Sequence, residues 1–374
     1  VQNSAALHFH ATHVGQDANL HTSGPVEQNG PLVVVGTTTL DAGTQAVTLS
    51  DTGNDFGGPL TLTAGRSQIT DANTLSIALN TGDTTLTSGA NLNASGRANT
   101  LDAQAGGTLA STVNTSGAAT LRSTGGGALS QQGNIGGRLT TDTSGDTTLG
   151  GDFGQLAVQN SAALHFHATH VGQDATLHAS GPLSQSGPLL VGGATTLDAG
   201  TQAVTLTDAG NDFTGPLTLT AGRSQITDAN TLSIALNTGD TTLTSGANLN
   251  ASGRANTLDA QAGGTLASTV NTSGAATLRS TGGGALSQQG NIGGRLTTDT
   301  SGDTTLGGDF GQLAVQNSAA LHFHATHVGQ DANLHTSGPV EQNGPLVVVG
   351  TTTLDAGTQA VTLSDTGNDF GGPL

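Results

Sequence analysis

Leu60-Thr61-Leu62-Thr63-Ala64-Gly65 is the phrase to which this chain keeps returning. It comes back as Thr38-Thr39-Leu40-Asp41-Ala42-Gly43, Thr84-Thr85-Leu86-Thr87-Ser88-Gly89, Asn99-Thr100-Leu101-Asp102-Ala103 and Ala119-Thr120-Leu121-Arg122-Ser123, with looser forms around Leu20, Leu139 and Leu156. In each, Leu alternates with Thr, Asp or Arg, and a small residue closes the run. Alternation with a period of two marks a half-buried strand; its return at near-regular intervals marks one coil of a solenoid.

A longer period encloses the short one. Residues 1–60 recur unchanged as 315–374 and with 11 changes as 158–217, while 61–157 recur unchanged as 218–314. The 374 residues are therefore two copies of a 157-residue unit, 1–157 and 158–314, and a partial third, 315–374. Taking Leu40, Leu62, Leu86, Leu101, Leu121, Leu139, Leu156, Leu177 and Leu197 as anchors gives eight coils of about 20 residues per unit. That length suits a parallel β-solenoid of two or three short strands per coil. Leucine-rich repeats need a denser Leu pattern with a fixed Asn or Cys, and no 3.6-residue apolar stripe supports helical repeats. The expected architecture is all-β, one continuous rod, cut from a longer array because a solenoid with open ends exposes unpaired strand edges.

Composition agrees with a narrow core. Hydrophobic residues make up 33% and Gly numbers 58, which is thin for a globule and sufficient for Leu, Val, Ile and Ala stacked coil on coil. The net charge of −18, with eight Arg and no Lys, argues against nucleic-acid partners and anionic membrane surfaces. With no Cys, thiol catalysis and Cys-ligated zinc are excluded. No apolar run is long enough to span a bilayer as a helix.

The most unusual stretch is Ala5-Ala6-Leu7-His8-Phe9-His10-Ala11-Thr12-His13. Alternation sends Leu7, Phe9 and Ala11 inward and His8 and His10 outward. All 12 His belong to this region and its copies. His8, His10 and His13, then His165, His167 and His170, then His322, His324 and His327 are the candidate metal ligands, with donors that suit Zn, Cu or Ni. The alternative is a solvent-facing polar strand. Imidazoles gain charge below about pH 6.5, so association of acidic rods would depend on pH. Asp51-Thr52-Gly53-Asn54-Asp55 offers oxygen ligands for Ca²⁺, although its spacing matches no Ca²⁺ loop and an Asx turn explains it as well. Phe56 and Phe153 are expected to plug corners. Asn93 and Asn114 open Asn-x-Ser sequons.

Thr-Leu-Asp-Ala-Gly at 39–43, the run Leu49-Ser50-Asp51-Thr52-Gly53-Asn54-Asp55-Phe56-Gly57-Gly58-Pro59-Leu60, and Gln68-Ile69-Thr70-Asp71-Ala72-Asn73-Thr74-Leu75-Ser76 together resemble the large repetitive exoproteins of Gram-negative bacteria that are like filamentous haemagglutinin. The resemblance implies a right-handed parallel β-helix shaft, an extracellular or cell-surface location, and a part in adhesion, aggregation or biofilm. Partners would then be other copies in fibres or bundles, and host or neighbouring cells reached through regions outside these residues. No enzyme and no obligatory cofactor are expected. Two other functions are weighed against this reading: a His-rich metal-bridged fibre, and a polysaccharide-acting β-helix enzyme. The enzyme is disfavoured because Glu occurs only at 27 and 341 and any site would be copied every 157 residues.

Overall fold

The computed structural model describes residues 1–374 as 44 strands without an α-helix. The chain forms two compact units, Val1–Leu189 and Leu190–Leu374. Each is a parallel β-solenoid, in which every strand pairs with its counterpart one coil later.

In the first unit one face can be followed from end to end. Leu7 pairs with Val26, and the column continues through Val47, Ser67, Thr84, Leu101, Ala119, Leu139 and Leu156 to Ala175. A second face runs from Ala18 through Thr38, Leu60, Ile77, Ala94, Ser111, Gln131, Leu149 and Phe166 to Gln185. In the second unit the corresponding columns run from Val204 to Thr352 and from Thr195 to Gln342.

Coil length varies because the cross-section does. Near the start, each coil has a third short side, with Val14 stacked on Val34 and Val34 on Phe56. Between 67 and 105 this side is gone. Two longer strands per coil then suffice, and the spacing drops to the 17 residues that separate Ser67, Thr84 and Leu101. A new third side then opens at the other end of the second face, through Thr115, Ile135, Phe153 and Val171. Gly96 sits where it begins. Its φ of 98° is a left-handed conformation, and a Cβ there would stand 2.1 Å from the Leu79 carbonyl oxygen.

The loss of the first third side leaves the backbone N–H of Phe56 without a strand to pair with. The carboxylate of Asp71 replaces that strand. Its oxygens accept the N–H groups of Phe56 at 2.8 Å and Asn73 at 2.7 Å, and Asp228 does the same for Phe213 and Asn230. Both carboxylates are buried, and burial pushes them above the usual Asp range against the opposing pull of these hydrogen bonds.

The interior is the stack of apolar side chains that alternation requires: Leu60, Leu62, Ile69, Leu75 and Leu86 are fully buried, as are Phe56 and Phe153, which stand in strands of the short third sides rather than plugging corners. Two further expectations need correction. Ala11 is exposed, because the strand Leu7–Phe9 ends before it and His10 and Ala11 form the corner. The anchor leucines do not share a face either: Leu62 pairs with Leu79, whereas Leu86 pairs with Ile69 on the opposite side. The unit is consequently not a whole number of coils. Leu7 and its copy Leu164 lie on different faces of the same solenoid, since Leu164 stacks on Thr147 of the second face.

Candidate functional site

The His-bearing strands are fixed from inside. Phe166 and Phe323 are wholly buried and Phe9 nearly so, which turns the flanking imidazoles outward. Thr12 reinforces the corner by donating its hydroxyl to the His10 carbonyl at 2.7 Å, and Thr169 and Thr326 do the same for His167 and His324.

His8 and His10 stand together, with ring centroids 5.3 Å apart and planes crossing at 71°. His165 and His167 repeat the arrangement at 5.2 Å and 81°. The next coil places a different partner above each pair. His8 is in register with Glu27, and His10 Nδ1 lies 2.6 Å from Asn29 Oδ1. In the second copy these positions are Ser184 and Ser186, whose hydroxyls lie 2.9 Å from His165 Nδ1 and 2.8 Å from His167 Nδ1. In the third, His322 Nδ1 is 3.7 Å from Glu341 Oε2, beside a cavity of about 270 Å³ that His324 and Asn343 also line.

His13, His170 and His327 belong to the third side and do not join these pairs. His170 instead faces Asp152 at 3.6 Å and His327 faces Asp309 at 3.7 Å. His21 and His335 each stand 3.3 Å from an Asp carboxylate on the next coil. Nowhere do three His, Asp or Glu side chains converge closely enough to hold a metal ion as they stand. The sequence triplet is thus divided by the structure into a pair and a separate single.

The Asp51–Asp55 corner is a turn. Asp51 Oδ1 accepts the Gly53 N–H, and Asn54 is buried with both ends of its amide occupied by Gln28, Leu32 and Leu49. The sequon residues Asn93 and Asn114 are both exposed; Asn114 also supports the next coil by accepting the Asn134 N–H, and Asn134 accepts that of Asp152. The sequence reading missed this ladder; its signal was the recurrence of Asn after 20 residues beside a corner. Exposed carboxylates act similarly. Asp83 accepts from Asn99 and Thr100 and Asp17 from the Thr37 N–H, and these bonds hold both below the ordinary Asp range.

Two polar clefts of about 380 and 390 Å³ are lined by Arg122, Asp142, Asn160 and His178 and by their copies Arg279, Asp299, Asn317 and His335. Two further grooves of about 350 and 300 Å³ pass Ala78, Asn93 and Ser95, and Ala235, Asn250 and Ser252. No helix is long and apolar enough to cross a membrane.

Residues 1–63, 153–220 and 310–374 match the family described as repeats of unknown function (DUF5649), more than half of the chain in all. The chain belongs to that repeat family. Its three matching segments each contain one His-bearing stretch and the three-sided coils that follow it. No curated protein and no solved structure matches the chain.

Proposed function

We propose that the chain is shaft material: part of the stalk of a large secreted surface adhesin or biofilm-matrix filament of a Gram-negative bacterium, similar to filamentous haemagglutinin. Its work is reach and stiffness rather than catalysis. The observation that supports this reading best is the unbroken register of single columns over nine successive coils, from Leu7 to Ala175. Surface clefts occur in duplicate, 157 residues apart, which suits a repeated stalk better than an active centre. Copies one and two differ at 11 of their first 60 residues, among them Glu27 against Ser184 and Val35 against Gly192; nine of the changes lie outside the core, and the two buried ones are Val26 against Leu183 and Thr22 against Ala179, so the outer surface tolerates more change than the core. Copies associating side by side, and contacts with host or neighbouring cells through other regions, complete the proposal.

Length is the property to test. A unit of 157 residues spans between eight and nine coils, and each coil adds about 4.8 Å. Inserting one more unit lengthens the particle by roughly 40 Å at unchanged width, measured by electron microscopy. A particle that grows wider instead is not a spacer.

A further inference from the structure

We propose that the first and third copies of the His strand each carry a binding site for a divalent transition ion such as Zn²⁺. The ligands are His8, His10 and Glu27 in one and His322, His324 and Glu341 in the other; the middle copy lacks the site. The third ligand comes from the neighbouring coil, not from His13 or His327 on the next side of the same coil.

Three observations carry this. First, the two imidazoles of the first copy are already spaced for a shared ion. A Zn–N bond is about 2.0–2.1 Å, so two rings on one tetrahedral ion have centroids about 5.2 Å apart. His8 and His10 stand at 5.3 Å, and the middle copy's pair, which lacks a carboxylate beside it, stands at 5.2 Å. Secondly, parallel pairing puts Glu27 directly beside His8 and Glu341 directly beside His322. In the third copy the carboxylate already lies 3.7 Å from the imidazole and shares a cavity with His324. Two His from one coil and a carboxylate from the next supply three ligands, with a fourth position left to water. Thirdly, the contact from Asn29 Oδ1 to His10 Nδ1 makes that nitrogen the donor. The lone pair of Nε2 is then free for an ion, as an outer partner does in established metal sites.

The three groups do not converge in the ion-free arrangement. His8 and Glu27 are exposed, and about half of the Glu341 side chain is accessible, so these side chains are free to turn towards a shared ion. Imidazole with carboxylate favours Zn²⁺ over Ca²⁺ or Mg²⁺, which take oxygen ligands. In the middle copy Ser184 and Ser186 replace the Glu and Asn, so its His pair has no anionic partner.

The test is calorimetric titration of the chelator-treated full chain with ZnCl₂ at pH 7.5. Two strong sites per chain are expected. Glu27→Ser with Glu341→Ser weakens both by about tenfold or more, since even outer partners of a metal ligand are worth that much. Ser184→Glu with Ser186→Asn creates a third strong site, which keeps the proposal open to refutation should the first variant fold poorly. His13→Ala, His170→Ala and His327→Ala together leave the number of strong sites at two. Three equal sites in the unaltered chain, no saturable binding, indifference to the Glu substitutions, or loss of sites in the His13 variant each overturn the proposal.

Discussion

Asp71→Ala is the sharpest test of how the solenoid changes its cross-section. Asp71 is 1% exposed; one carboxylate oxygen accepts the Phe56 amide in place of a missing strand, and the other accepts the Asn73 amide two residues on, as in an Asx turn. Alanine leaves the buried Phe56 N–H without a partner, at about 1–3 kcal/mol, and also releases the N–H of the exposed Asn73, which water can satisfy, so the local cost is about 1–3 kcal/mol before relief of the buried charge is subtracted. Asp71→Asn keeps one acceptor and sets an amide donor against the other N–H, for a smaller cost. Repeat proteins unfold in parts, so the assay is hydrogen exchange of the 54–73 segment rather than a single melting curve. Loss of protection centred on Phe56 and Asn73, with distant coils unaffected, is expected. The pH dependence supplies a second readout. Because burial raises the Asp71 pKa, its contribution to stability is fully present below the ordinary Asp value and is lost as pH rises through the folded-state value. The unaltered chain therefore gains on Asp71→Asn as the pH falls from 7 towards 4. A difference that shrinks on acidification, or protection at Phe56 that survives in Asp71→Ala, would refute the reasoning.

Three further outcomes are expected. Gly96→Ala combines a left-handed φ with a clash against the Leu79 carbonyl, so where Gly to Ala at a compatible site stabilises by up to roughly 1 kcal/mol, here it should destabilise by more than that, read by urea denaturation followed by circular dichroism. Leu62→Ala, at a fully buried position, should cost about 2–5 kcal/mol in the same assay, and Leu219→Ala in the second unit should match it. Arg122→Ala removes a 2.9 Å contact to Asp102 between exposed side chains and should change stability by less than about 1 kcal/mol.

The coil was legible in the sequence because alternation is local: Leu60 and Leu62 point inward wherever their neighbours lie. The order of the faces was not, because it depends on how many residues each corner takes. Leu62 and Leu86 look alike in sequence, and only the pairing with Leu79 and Ile69 shows them to be on opposite sides. The same limit governed the histidines. Their outward direction followed from alternation, whereas the separation of His13 from His8 and His10, and the approach of Glu27 from 19 residues away, are facts of stacking. Asp71 gave no signal at all, since a buried carboxylate and an exposed one are spelled alike.

The central claim is that coils stack in register along fixed columns. Spin labels on outward positions of the first face test it: Thr48 paired with Thr140 spans five rungs, and Thr48 paired with Thr176 spans seven. Electron double resonance should give about 24 Å and about 34 Å, a difference of two rungs at about 4.8 Å each. Distances that fail to grow with rung number would contradict the account.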